Sequence, residues 1–342
     1  MSDFRTQPRS RSAARQASRQ RATRRFVYAS VAIGLVIVLG AAAIVWRWAP
    51  WRSSPDHAVG SVRYLGVYEP DAPTSYTQVS QFAQAIDWQP NLVSYYSAWG
   101  IPFQAGFAAS AAKHGALTLV QIDPKNVSLA KIAAGRYDKY LRSYAAEVKA
   151  FRSQVVLSFG HEMNGNWYSW SNRHTSAKVF VAAWRHVVTV MRDAGATNAT
   201  WLWTVNIVDQ NSTIPIASPG PWWPGGKYVD WVGIDGYYYQ SSQSFAQVFG
   251  PTIAAVKGLT GDPILIAETG VAPSAGQPSK ISDLFDGIRS YGLMGFVWFD
   301  EDTQGRVWRI KSPQAFHAFS QNAKEFVKRS PAPASAQASA GG

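Results

Sequence analysis

Two glutamates carry the chemistry that this chain could perform. Glu162 lies in Gly160-His161-Glu162-Met163-Asn164-Gly165, and Glu268 lies in Ala267-Glu268-Thr269-Gly270. Each sits at the end of a short apolar run, at 155–160 and at 264–268. Packing explains such a residue poorly, because Glu is almost never fully buried without a partner. A salt bridge closing the end of a sheet would account for one of them, and less well for both. Two carboxylates across a cleft meet the requirement for cutting a glycosidic bond. One protonates the leaving oxygen, while the other attacks the anomeric carbon or activates water. A separation of about 5–5.5 Å would give retention of configuration through a glycosyl-enzyme.

Something must hold the two residues face to face, and the chain supplies a repeating alternation for it. Apolar strand-like runs recur at 62–68, 92–97, 117–123, 155–160, 200–206, 231–236, 264–268 and 295–300. Several are continuously apolar, as strands buried on both faces require. Helix-like segments lie between most of them, at 103–114, 137–151, 176–194, 245–256, 281–290 and 313–328. Gly115 and Gly195 stand where the first and third of these should end. Eight strands alternating with helices over 61–328 predict an α/β fold, a (β/α)8 TIM barrel, whose site lies at the C-terminal ends of the strands. Asp123 and Asn206 are polar at two further strand ends and serve either as substrate ligands or as loop caps. Residues 207–229 are rich in Pro and Gly, include Trp222 and Trp223, and read as a long functional loop.

Composition narrows the function further. The 342 residues include 15 Trp and 15 Tyr, and flat aromatic faces suit the C–H faces of sugars. The absence of cysteine excludes disulfides, thiol nucleophiles and cysteine zinc sites. The six histidines show no His-x-His or His-x-x-x-His spacing, so no metal is expected. No Gly-rich phosphate loop follows a strand, and no cofactor is expected. The net charge of +12 is concentrated in residues 1–25, which carry eight arginines against Asp3. The remainder is only mildly basic, so no nucleic-acid partner is expected.

Residues 26–46 form an uncharged apolar run long enough to span a bilayer as a helix. Trp46, Trp48 and Trp51 stand where an aromatic belt belongs, and the arginine-rich flank places the N-terminus in the cytoplasm. The expectation is a single-pass cell-membrane protein, anchored in the lipid bilayer, with its main domain outside. Ala41, Ala42 and Ala43 leave a cleaved signal peptide and secretion as the alternative. Residues 47–60 read as a linker, and 329–342 as a disordered Pro/Ala/Ser/Gly tail.

The stretch Gly160-His161-Glu162-Met163-Asn164-Gly165-Asn166-Trp167-Tyr168-Ser169-Trp170 resembles the acid/base motif of glycoside hydrolase family 26, the β-mannanase family. The stretch Ile264-Leu265-Ile266-Ala267-Glu268-Thr269-Gly270 resembles its nucleophile strand, and the likeness runs over roughly 60–325. The resemblance implies Glu162 as acid/base and Glu268 as nucleophile. It implies His161 beside the acid, bonding a sugar hydroxyl or buttressing Glu162. It further implies Trp167 lining the cleft, Tyr237 bonding the nucleophile, and Trp298 as a platform beneath the sugar. The implied partner is a polysaccharide substrate, β-1,4-mannan first, with β-glucan or β-xylan as alternatives. A membrane-tethered binding protein that has lost activity is the reading from another class. One residue departs from the pattern: some mannanases carry arginine after the strand-8 tryptophan, and here that position is Phe299.

Overall fold

The computed structural model describes residues 63–208, 216–303 and 305–328. Eight parallel strands close into a barrel in sequence order: β1 (Tyr64–Tyr68), β2 (Leu92–Ala98), β3 (Leu117–Asp123), β4 (Val155–Phe159), β5 (Ala199–Asn206), β6 (Trp231–Asp235), β7 (Ile264–Thr269) and β8 (Gly295–Phe299). Helices α1 (Thr77–Ala85), α2 (Ala105–Lys113), α3 (Leu129–Ala133), α4 (Asp138–Phe151), α5 (Ala177–Asp193), α6 (Phe245–Lys257), α7 (Gln277–Ser290) and α8 (Pro313–Lys328) intervene along the chain. Parallel neighbours need a crossover, and a helix both makes it and covers the outer face of the sheet.

Side-chain alternation along each strand creates two cores. Inside the barrel, Leu92, Leu119, Val156, Leu202, Trp231, Leu265, Ala267 and Val297 pack together. Their neighbours in sequence, such as Val93, Val120, Leu157 and Phe296, face the helices and join the larger outer core. Closer to the C-terminal ends, the inward positions become polar: Ser94, Gln121, Ser158, Thr204 and Asp235 are all buried. The barrel therefore has an apolar plug below and a polar floor above it.

Local signals explain where the helices start and stop. Helix α5 begins at Ser176, whose hydroxyl accepts from the Val179 N–H, and it buries Phe180, Ala183, Trp184, Val187, Val188 and Met191 on one face. Ser244 and Gln247 cap α6 reciprocally. Gly115 and Gly195 have φ of 77° and 92°, so the chain leaves α2 and α5 through the left-handed region that glycine adopts without strain.

The structure also adds elements that the sequence did not announce. Helix α1 lies between β1 and β2, and α7 starts earlier than residue 281 because Pro278 suits a first helical turn. Beyond β8, a hairpin of two-residue strands, β9 (Asp302–Thr303) and β10 (Arg306–Val307), carries Trp308. The expected leader, transmembrane helix, linker and tail lie outside the described residues. Among the described residues, no helix is long and apolar enough to cross a membrane.

The barrel closes between β8 and β1, and aromatic edges hold that seam against the helices. The Phe285 ring of α7 meets Phe296 of β8 at 5.0 Å, and Phe319 and Phe326 of α8 at 5.4 Å each. Phe285 is fully buried, so Phe285→Ala should lower the unfolding free energy by about 3–5 kcal/mol in a denaturant titration. A loss below about 1 kcal/mol would show that the seam does not depend on this ring.

Candidate active site

The end of β4 is shaped by its backbone. The Gly160 N–H donates to Ile122 O at 2.9 Å and the Glu162 N–H donates to Thr204 O at 3.0 Å. These bonds carry the pairing past the strand, toward β3 on one side and β5 on the other. Gly160 and Glu162 both have positive φ, 57° and 54°. For a glutamate this conformation costs on the order of 1–3 kcal/mol and persists only where the surroundings enforce it. Asn164 supplies that enforcement: its amide donates to Asn206 O at 2.9 Å and Ala217 O at 3.2 Å, and its Oδ1 accepts from the Asn206 N–H at 2.9 Å. The Trp170 indole donates to His161 O at 2.8 Å. Much of the motif around Glu162 is thus scaffolding that holds one strained backbone turn in place.

Glu162 is 6% exposed. Its Oε2 accepts from the Trp167 indole at 2.7 Å, and its Oε1 accepts from the Asn206 amide. Burial first, and the charge of Glu268 second, push its pKa up to about 7, against the opposing pull of His161 and the two donors. Trp167 is 41% exposed, so its N–H meets the carboxyl while the residue stays partly open to solvent.

Glu268 reaches the barrel axis through an irregularity. Along β6 and β7, Ile234 pairs with Ile266, but Asp235 pairs with Glu268. Along β7 and β8, Ile266 pairs with Phe296, but Thr269 pairs with Trp298. Strand β7 therefore holds one extra residue, a bulge, and bulges re-aim side chains. Ala267 faces inward, so strict alternation would send Glu268 out to the helices; the bulge turns it in. There Tyr237 donates to Oε1 and Tyr96 to Oε2. Burial, then the adjacent Glu268, raise both phenols well above their ordinary pKa, so both remain donors.

His161 is buried beneath this pair. Its Nδ1 lies 3.1 Å from Asp123 Oδ1, and its Nε2 lies 3.1 Å from the Tyr168 hydroxyl. Burial works against the charged ring, but Asp123, Glu162 and Glu268 outweigh it and raise the pKa to about 9. Asp123 faces one ring nitrogen as a counter-ion and the Tyr168 hydroxyl faces the other, an arrangement that suits a buttress beside Glu162. Asp235 is also fully buried, in register with Glu268 and Asn206. Its carboxyl has no hydrogen-bond partner among the described residues. Burial first, and then the charges of Glu268 and Glu162, raise its pKa well above the ordinary carboxylate value.

One expected site residue lies elsewhere. Trp298 is 0% exposed and stands edge-on to Phe319 of α8, in the helix-facing core. The reason is strand parity: Val297 points into the barrel, so Trp298 points out. Phe299 occupies the inward position instead, stacked on Tyr68 at 4.7 Å and edge-on to Tyr237. The sequence reading also overlooked Tyr96. Its signal was the same parity, since Leu92, Ser94 and Tyr96 share the inward face of β2. Trp308 was overlooked as well, and it lies 4.2 Å from the Tyr237 ring.

If Asp123 sustains the charge on His161, Asp123→Asn should bring the His161 titration down from about 9, as followed by ring-proton NMR. Because the folded pKa is raised, the pair stabilises the fold at neutral pH, and that contribution fades as pH rises through about 9. An unshifted titration in the variant would show that Asp123 is not the controlling charge.

Comparison with known proteins places this geometry. The model of glycosyl hydrolase family 26 matches residues 66–283. Endoglucanase H of Acetivibrio thermocellus is 30% identical over 263 residues, which is 72% of this chain and 29% of that protein. The β-1,3-xylanase TXYA of a Vibrio species is 30% identical over 110 residues, 32% of this chain and 22% of that protein. The chain thus spans less than a third of the length of these curated relatives. The solved structure of a family 26 β-mannanase from Bacteroides ovatus has a TM-score of 0.59 at 16% identity, covering 78% of this chain and 90% of that one. The Bacillus subtilis mannanase BCman gives 0.55 at 15% identity, covering 75% and 85%. At such identities the two structures speak for the fold alone. The family model, by contrast, matches most of the barrel, with the Glu162 and Glu268 segments inside it, and the chain belongs to glycosyl hydrolase family 26.

Proposed function

We propose that the protein is a retaining glycoside hydrolase that cleaves a β-linked polysaccharide by double displacement. One observation carries this reading: two carboxyl groups share the barrel mouth with unlike surroundings. Glu268 receives two phenol donors, whereas Glu162 is buried and raised to about 7. That division is what an acid and a nucleophile need.

In the first step Glu268 attacks the anomeric carbon and forms a glycosyl ester. The glycosidic C–O bond breaks, and the Glu162 proton moves to the leaving oxygen. Esterification removes the Glu268 charge, and with it one of the two causes that raise Glu162. Glu162 then takes a proton from the incoming water, which releases the sugar and restores both groups. Tyr96 and Tyr237 orient the nucleophile; Trp167 and Asn206 orient the acid.

The motif around Glu162 favours β-1,4-mannan as the backbone. Phe299, where some mannanases have arginine, and the names of the endoglucanase and β-1,3-xylanase relatives favour β-glucan or β-xylan as the second reading. Reducing-sugar release from mannan, mixed-linkage glucan and xylan separates these backbones. The apolar run at 26–46 supports a further proposal, that the domain is tethered outside the cell membrane. The mature protein should then sediment with membranes and retain residue 26; a soluble form starting beyond residue 46 would refute the tether.

Glu268→Ala should abolish turnover. Glu162→Ala should spare aryl glycosides with activated leaving groups far more than polymer, because such groups leave without a proton. In the unaltered protein kcat/KM should fall as pH rises through about 7, where Glu162 loses its proton. Equal losses on both substrates in Glu162→Ala would sink the acid/base assignment.

A further inference from the structure

A second aromatic surface adjoins the two glutamates. Tyr239, after β6, is 40% exposed, and its backbone N–H is fixed by Gln243 Oε1 at 2.7 Å. Trp308 supports it edge-on at 5.3 Å. Trp308 also packs on Tyr237, whose hydroxyl bonds Glu268. A continuous line of rings therefore runs from the nucleophile to the rim of the cleft. The Arg306 guanidinium lies over the Tyr239 ring, 4.7 Å from its centroid.

Arg306 differs from the other cations of its loop. Arg309 lies 3.7 Å from both Glu69 and Asp300, and Lys311 pairs with Asp302. Among the described residues, no carboxylate forms an ion pair with Arg306, which is exposed. The contact with Tyr239 tethers the guanidinium, whose N–H donors form no ion pair with a carboxylate among the described residues. A guanidinium can take a carboxylate two bonds at a time. An exposed aromatic ring beside it suits the apolar face of a pyranose.

We propose that Tyr239 and Arg306 form a subsite for a sugar that bears a carboxylate, so that the preferred substrate is an acidic β-linked polysaccharide. The inference rests on the glycosidase reading of the same cleft and adds its substrate class. The subsite lies away from the reacting carbon, so it acts on KM more than on kcat. Arg306 is on the surface of a short hairpin, and its replacement leaves the barrel core untouched.

The test compares carboxymethyl and hydroxyethyl ethers of one β-linked backbone, matched in degree of substitution, as substrates of the purified protein. The carboxymethyl ether should show a KM about three- to tenfold lower, as expected for one partly exposed, charge-assisted pair. The gap should narrow as salt is raised. Arg306→Gln should close it by raising the carboxymethyl KM, with kcat little changed, and Arg306→Lys should retain part of it. Equal KM values for the two ethers, or a gap that survives Arg306→Gln, would overturn the subsite while leaving the glycosidase reading intact. No reducing-end release from either ether or from the neutral panel would overturn the glycosidase reading, and the subsite with it.

Discussion

Like charges in one poorly solvated space cannot both be held at low cost, and the mouth of this barrel is built around that constraint. Glu162 and Glu268 face the same cleft, and the proton affinity of Glu162 is set by its burial and by its neighbour's charge. The donor sets then follow. Two phenols lock the orientation of Glu268, while an indole and an amide lock that of Glu162. The backbone strain at Glu162 belongs to the same arrangement, because the residue whose carboxyl meets Trp167 and Asn206 is held at positive φ. The asparagine contacts that enforce the strain connect β4 to β5, so the stiffness of the barrel wall is what keeps the carboxyl in place.

The groups beneath the pair keep the local charge from accumulating. His161, raised to about 9, is matched by Asp123, while full burial and the neighbouring carboxyl groups raise the pKa of Asp235. A charged Asp235 would place a third anion within the same field.

Much of this was legible in the sequence because strand ends in a barrel face one cleft. Glu162, Glu268 and Tyr237 each end or follow an apolar run, and Tyr237 bonds Glu268 as expected; Asn206, expected as a substrate ligand or a loop cap, bonds Glu162 instead. Trp167 was carried by its motif. The remainder depended on parity, which apolar runs conceal. Residues 295–300 contain aromatic and aliphatic side chains on both faces, so nothing in their types separates the outward Trp298 from the inward Phe299. Tyr96 follows Tyr95, and only the register of β2 shows which of the two turns inward. The sequence leaves His161 as either a ligand or a buttress, because its partners Asp123 and Tyr168 come together only on folding. The hairpin at β9 and β10 is too short to have a period, which hid Trp308 and Arg306.

The bulge in β7 reaches beyond this one cleft. It makes the facing of Glu268 a property of the backbone rather than of its residue type. A descendant whose seventh strand ran straight would keep both glutamates and every motif residue, yet would turn one of them toward the helix layer. On the proposed mechanism, such a protein would pass a census of residue types and still lack its nucleophile. The inheritance of that mechanism includes one irregularity of strand pairing that no single position in an alignment records.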